Sequence, residues 1–251
     1  AHPLEDCLGR VSLPVQRYTT FIVKSRRHRL SIFFENRDLV VIDKPSGLLS
    51  VPGRGEDKQD CALTRIQTII PSALVVHRLD MSTSGLLLFA KGARMQRLLS
   101  QAFQNRETNK QYRAIVLGVP ASKDHAWQTI NESLIVDWPN RPKSKVCYET
   151  GKPSVTEWRV SDTPFKPRAE LANWQVDNAA LTALDLRPVT GRSHQLRVHL
   201  AHVGFPIAGD ALYGPDDNAQ RAPRLLLHAS DLALTCPRTG EHMVWHAPSP
   251  F

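Results

Sequence analysis

The sequence predicts an α+β fold, built on a mixed, largely antiparallel β-sheet with flanking helices. Three observations carry this expectation. Short apolar runs rich in Val, Ile and Leu recur along the chain, bounded by Gly, Pro, Asp and Ser as strands are. Helical spacing of apolar residues is confined to three stretches, near residues 60–70, 92–106 and 194–203. Strands far apart in sequence must then pair to close a core, and 251 residues are enough to bury one.

Taken in order, residues 1–30 differ from the rest. Arg17, Lys24, Arg26, Arg27 and Arg29 fall there with no acid between them, beside apolar patches such as Phe21-Ile22-Val23. We read a basic N-terminal extension on a single larger domain of residues 31–251; an arm on phosphates and a segment laid over the core both fit it. Leu39-Val40-Val41-Ile42 is a β-branched strand that Lys44-Pro45-Ser46-Gly47 ends. Pro52-Gly53-Arg54-Gly55 is a loop, and no Gly-Lys-Ser/Thr makes it a P-loop. Leu63, Ile66, Gln67 and Ile70 have helical spacing up to Pro71. Leu74-Val75-Val76 and residues 86–90 are strands either side of a polar loop.

Residues 92–106 read as an amphipathic helix with the stripe Met95, Leu98, Leu99, Ala102 and Phe103; Arg94, Arg97 and Arg106 face either solvent or a polyanion. Residues 110–117 alternate as a strand, which gives Tyr112 a rigid support. Between 125 and 160 come short β-like runs. Lys143, Lys145 and Lys152, interleaved with Trp138 and Tyr148, suit phosphate contact and base stacking as well as an ordinary solvated hairpin. Residues 161–178 are polar and read as a surface insertion. Residues 181–186 are a strand, Thr190-Gly191-Arg192 a turn, and Leu196, Val198, Leu200 and Val203 a helix stopped by Gly204. A buried strand at residues 225–229 and a last one at Val244-Trp245 complete the sheet.

The net charge of +8 attracts polyanions, and nucleic acid is the leading candidate because no amphipathic membrane helix is evident; a merely basic enzyme also fits. Cys7, Cys61, Cys147 and Cys236 are scattered, as reduced thiols are. No apolar segment is long enough to span a bilayer and no signal-peptide layout opens the sequence, so the expected location is cytoplasmic. His194, His199 and His202 lack a His-Glu-x-x-His frame or a carboxylate partner, so no metal site is expected. A monomer is expected, since no coiled-coil segment occurs.

The informative stretch is His77-Arg78-Leu79-Asp80-Met81-Ser82-Thr83-Ser84-Gly85-Leu86-Leu87-Leu88, which displays one carboxylate on a loop between two apolar runs. Alone, Arg-x-Asp at a strand end is more often an ion pair capping a turn. Three further stretches accompany it in order: residues 44–53 (Lys-Pro-Ser-Gly-Leu-Leu-Ser-Val-Pro-Gly), Lys110-Gln111-Tyr112, and residues 190–200 (Thr-Gly-Arg-Ser-His-Gln-Leu-Arg-Val-His-Leu). Together they resemble the RluA family of pseudouridine synthases, from about Leu39 to Phe251. Residues 137–143 and 148–153 look most like the small member that modifies both tRNA and 23S rRNA.

The resemblance implies a pseudouridine-synthase catalytic domain, a cofactor-independent isomerisation and an RNA partner, tRNA and/or 23S rRNA, rather than DNA. It implies Asp80 as the essential carboxylate, Arg197 as its ion-pair partner, and Tyr112 beside the uracil as a stacking ring and base. Substrate contacts are expected from His77, Arg78, Thr83, Arg192, His194 and Gln195, with Arg78 bracing the space left by a flipped nucleotide. Two rivals stand beside this: a non-catalytic RNA-binding or ribosome-assembly protein of the same fold, and a glycosidic-bond hydrolase, which calls for a second working carboxylate.

Overall fold

The structure is a computed structural model that describes residues 22–24, 29–121, 125–165 and 180–251. Most of the expected extension and residues 166–178 of the expected 161–178 insertion lie outside those residues. In chain order the elements are β1 (Ile22–Lys24), β2 (Arg29–Glu35), β3 (Leu39–Lys44), α1 (Ala62–Gln67), β4 (Ala73–Val75), β5 (Ser84–Lys91) and α2 (Ala93–Gln104). There follow β6 (Thr108–Leu117), β7 (Gln128–Asn131), β8 (Leu134–Val136), β9 (Ser144–Val146), β10 (Val155–Val160), β11 (Leu181–Pro188), α3 (Gln195–His202), β12 (Leu227–Thr235) and β13 (His242–His246).

Among the described residues, eleven strands form one sheet in the order β1-β2-β3-β5-β12-β6-β11-β10-β7, with β13 on β12 and β4 on β5. Among the described strands, β5–β12 is the one parallel pairing. β8 and β9 form a separate hairpin. The centre of the sheet is covered on both faces, which is why β3 and β5 read as unbroken apolar runs. Val40, Ile42, Leu87 and Phe89 pack towards α1 residues Ala62 and Ile66. Leu39, Val41, Leu86, Leu88 and Ala90 pack on the other face with Met95 and Leu99 of α2 and the fully enclosed Trp245. A third cluster joins β6 and β11 to Leu196 and Leu200 of α3.

Three details differ from the sequence reading. The first helix is only six residues long: the Cys61 thiol caps it by accepting the Thr64 N–H at 3.4 Å, and Ile70 reaches the core from the following turn. Leu98 leaves the apolar stripe and stays exposed. The strand expected at 225–229 begins at Leu227 and runs on to Thr235 through a register shift between Ala229 and Asp231; Leu225 and Leu226 bury their side chains ahead of it.

Candidate active site

Asp80 lies in the loop that joins β4 to β5, and two walls enclose that loop. The first is the turn after β3. Lys44 is fully buried, and its Nζ donates to the carbonyls of Leu48 (2.8 Å), Pro45 (2.9 Å) and Met81 (3.1 Å). Gly47 N–H donates to the same Met81 carbonyl at 2.8 Å, and Ser46 Oγ donates to Ser82 O at 2.6 Å. Ser50 Oγ donates to Leu79 O at 2.6 Å and accepts Leu79 N–H at 3.0 Å. Thr83 N–H closes the turn on Asp80 O at 3.1 Å. The Lys-Pro-Ser-Gly stretch is thus a clamp on the backbone that carries Asp80. Burial, reinforced by the Arg224 charge, pulls the Lys44 ammonium down to about 7 against the opposing charges of Asp80 and Asp43.

Beyond the loop, Gly85 sits at φ 111°, and a Cβ there would run into the backbone of Ala229 on β12. The Ser-Gly pair therefore lets two strands of the parallel pairing approach closely. Ser84 is wired behind it: Arg224 Nη2 donates to its Oγ at 2.5 Å, and its hydroxyl meets His228 Nδ1 at 2.8 Å. His228 Nε2 faces the Ala247 carbonyl at 3.1 Å, so Nε2 carries the proton and Nδ1 accepts. Every polar group of this buried serine–histidine pair is satisfied, which makes it structural.

The second wall meets the Asp80 side chain rather than its backbone. Arg197 Nη1 of α3 stands 3.6 Å from Asp80 Oδ2, and His194 Nε2 stands 3.9 Å away. Among the described residues no donor hydrogen-bonds the Asp80 carboxylate, whose side chain is 29% exposed. Arg197 gives its two close bonds to a different acid: Nε to Asp210 Oδ2 at 2.7 Å and Nη2 to Asp210 Oδ1 at 2.6 Å. Arg197 is therefore shared, tightly with Asp210 and loosely with Asp80. Burial opposes the Arg197 charge, but the hydrogen bonds and charge of Asp210, then the charge of Asp80, outweigh it and hold its pKa above the ordinary value.

Asp210 was not among the residues singled out from the sequence. Its side chain is completely enclosed, and Oδ1 also accepts the N–H groups of Leu212 (2.9 Å) and Tyr213 (3.3 Å). The preceding Gly209 has φ 76°, and any Cβ there would strike the Arg224 backbone. His194 opens α3 in the left-handed conformation at φ 55°. Its Nδ1 is 2.8 Å from the Tyr213 hydroxyl, which accepts the Ser144 N–H at 2.8 Å. Burial pushes the His194 imidazole down, with Asp80 opposing, and pushes the Tyr213 phenol up.

The other expected residues divide. Tyr112 packs where two core clusters meet. Burial, then the charge of Asp80, push its phenol well above the ordinary range, so it carries its proton at neutral pH and is poorly suited to act as a phenolate base. Arg78 is exposed, with no hydrogen-bond or ion-pair partner among the described residues. Arg192 is exposed as well, with Nη2 3.5 Å from Pro153 O. His77, Thr83 and Gln195 are committed to the protein. His77 Nε2 accepts Leu88 N–H at 3.1 Å and its ring stacks on Phe103. Thr83 is buried. Gln195 donates to Val155 O and Thr156 Oγ1 (both 2.9 Å) and accepts from Thr190 Oγ1 (2.7 Å) and Arg192 N–H (3.0 Å). His199 is likewise spent, on Thr156 Oγ1 and Glu132 O. No group of three or more His, Cys, Asp or Glu placed to hold a metal occurs among the described residues.

Comparison with known proteins fits this arrangement. The model of the RNA pseudouridylate synthase family matches residues 38–202. The dual-specificity RNA pseudouridine synthase RluA of Escherichia coli K12 is 46% identical over 222 residues, 88% of this chain and 94% of that protein. Its namesake from Vibrio cholerae is 44% identical over 84% of this chain and 79% of its own length. Among solved structures, human RNA pseudouridylate synthase domain containing 1 superposes with a TM-score of 0.70 at 26% identity, over 88% of this chain and 84% of that one. With its Asp80-loop motif, mixed sheet and relatives in agreement, this chain belongs to the RNA pseudouridylate synthase family, enzymes that isomerise uridine within RNA.

Proposed function

We propose that this enzyme isomerises uridine in stem-loops of tRNA and 23S rRNA, with Asp80 as the reacting carboxylate. The observation that carries the reading is the Asp80 side chain itself: fixed through its backbone, reachable from solvent, faced by Arg197 at 3.6 Å and His194 at 3.9 Å, yet held by no hydrogen bond from the described residues. In the reaction the N1–C1′ bond breaks and a C5–C1′ bond forms, the C5 hydrogen leaves and N1 gains one, so nothing enters or departs overall. A carboxylate serves such a sequence by attack on C1′ or on the base, or by taking a C2′ proton. Each route needs the same free, ionised oxygen.

Tyr112, kept neutral, supplies a ring for the uracil to lie against and an O–H to donate. Arg78, two residues before Asp80 and without a hydrogen-bond or ion-pair partner among the described residues, braces the stack once the nucleotide is flipped. Exposed Trp138, with the Arg141 guanidinium 4.1 Å from its ring centre, and exposed Tyr148 fit base stacking near Lys143 and Lys145. The hydrolase reading is disfavoured because the second carboxylate near Asp80 is Asp210, enclosed and saturated by Arg197 and two backbone N–H groups. No helix among the described residues is long and apolar enough to cross a membrane; with RNA as substrate, we place the enzyme in the cytoplasm as a monomer.

The test is pseudouridine mapping by mass labelling of unmodified tRNA and rRNA incubated with the purified protein. New pseudouridine in defined stem-loops supports the reading and names the sites; free uracil would revive hydrolysis, and no change would favour a non-catalytic RNA binder. Arg78→Ala should slow conversion of a folded stem-loop by about tenfold or more while leaving an unstructured oligonucleotide much less affected, in line with the cost of unstacking a paired nucleotide. Equal loss on both RNAs would refute the bracing role.

A further inference from the structure

We infer that Asp210 and Tyr213, both on the turn after α3, are positioning residues of the reaction: Asp210 sets Arg197, and Tyr213 sets His194, against the Asp80 carboxylate. The inference deepens the reading of Asp80 as the reacting group and rests on it.

The geometry of Asp210 is that of a holder. A guanidinium offers a planar fork of donors. In Arg197 the Nε and Nη2 edge is taken by Asp210 at 2.7 and 2.6 Å, which leaves Nη1 alone to face Asp80 at 3.6 Å. Without Asp210, nothing keeps Arg197 from turning that same edge onto Asp80 and binding it bidentately, the strong arrangement such pairs prefer. A carboxylate locked in that way has lost a free oxygen. Asp210 thus supplies a competing anion that keeps the positive charge near Asp80 without tying Asp80 down. Its own position is fixed by the Leu212 and Tyr213 N–H groups.

Tyr213 acts on the other neighbour. Its oxygen accepts the Ser144 N–H, and among the described residues the one proton it has to donate finds a single acceptor, Nδ1 of His194, at 2.8 Å. A neutral imidazole that accepts at Nδ1 carries its proton on Nε2. That is the nitrogen 3.9 Å from Asp80 Oδ2, so a donor rather than a lone pair faces the carboxylate. The left-handed backbone of His194, φ 55°, is a conformation seldom met outside glycine and is what aims the ring at both partners. Tyr213 also lays its ring 5.1 Å from the Arg197 guanidinium carbon, so one turn touches both groups that face Asp80.

The experiment has two readouts. Nitrogen-15 NMR of histidine-labelled protein, without RNA, should find His194 protonated at Nε2 and bare at Nδ1, and Tyr213→Phe, which keeps the ring, should leave it exchanging between tautomers. Single-turnover conversion of an RNA that the unaltered enzyme modifies should fall about a hundredfold in Asp210→Asn and about tenfold in Tyr213→Phe, the scale seen when one preorganised electrostatic contact is lost. RNA dissociation constants should stay within about threefold, a split that a general loss of structure would not give. His194 protonated at Nδ1 in the unaltered protein, or both variants turning over within about threefold of it, would overturn the inference. Should Asp210→Asn fail to fold, Tyr213→Phe still decides. Should the unaltered enzyme modify no RNA, the reading of Asp80 fails on its own, while the NMR result still settles what Tyr213 does to His194.

Discussion

Two walls surround the Asp80 loop, and they hold it in opposite ways. The wall after β3 binds backbone: Lys44, Ser46, Gly47 and Ser50 make contacts of 2.6 to 3.1 Å to residues 79–82. The wall formed by α3 and the turn after it faces the side chain, at 3.6 and 3.9 Å, and keeps its own short bonds for internal partners. The difference separates two requirements of one residue. Its Cα must not move, since misplacement by an ångström is costly in rate. In the role we propose for it, its carboxylate must stay unbound and charged, since a carboxylate saturated with hydrogen bonds neither attacks nor takes a proton well.

The comparison breaks most severely at Lys44. Lys44→Met removes the ammonium that bonds the Leu48, Pro45 and Met81 carbonyls and leaves the buried Leu48 carbonyl short of that donor, while Met81 keeps the Gly47 N–H, a loss of about 3 kcal/mol. Chemical denaturation should find this loss, with activity falling alongside it; an unchanged stability would mean that the clamp does not hold the loop. Of similar size is a pH effect on the rigid side of the molecule. Burial holds the His228 imidazole down at about 4, below its ordinary 6.5, with the Ala247 carbonyl opposing. The unfolded chain then binds more protons than the native one between those values, so His228 contributes stability that is full above about pH 6.5 and lost as pH falls towards 4. The shift corresponds to roughly 3 kcal/mol. Denaturation midpoints measured from pH 7.5 to 4.5 should fall in the unaltered protein and fall less in His228→Gln; parallel profiles would show that His228 is not the group responsible.

A lighter cut sharpens the contrast. Ser50→Ala removes both bonds to Leu79 and should cost about 1 to 2 kcal/mol of stability. If the two walls do separate jobs, the turnover lost in Ser50→Ala should return when the loop is stabilised by cooling. That recovery should be absent in Asp210→Asn, whose defect is in the charge arrangement. Loss of equal temperature dependence in both would erase the distinction.

How much of this could be read from residues alone follows the same division. Strands β3 and β5, buried on both faces, announce themselves as apolar runs, and the Asp80 loop stands between such runs. Pairings that depend on how distant segments meet do not announce themselves. Arg197 and Asp210 are thirteen residues apart and find each other only because the chain doubles back after α3. His77 and Gln195 show the converse. Both are polar, both lie in a motif, and both are expected to touch substrate, but His77 Nε2 is wired to Leu88 and the Gln195 amide to Val155, Thr156, Thr190 and Arg192. Residue type records that a polar group needs a partner, and only the fold says whether that partner is RNA or backbone. Gly209-Asp210 and Leu212-Tyr213-Gly214 have the composition of a turn, which says that the chain bends there and nothing of which side chain does what.

The most direct test of the central claim is single-turnover pseudouridine formation by Asp80→Asn beside the unaltered enzyme, on the same stem-loop, with RNA affinity measured in parallel. Asparagine keeps the size of the side chain and removes the charge. The account predicts product at background level with a dissociation constant changed by less than about threefold, because Asp80 does the chemistry and other groups hold the RNA. Conversion by Asp80→Asn at more than about a tenth of the normal rate would contradict it.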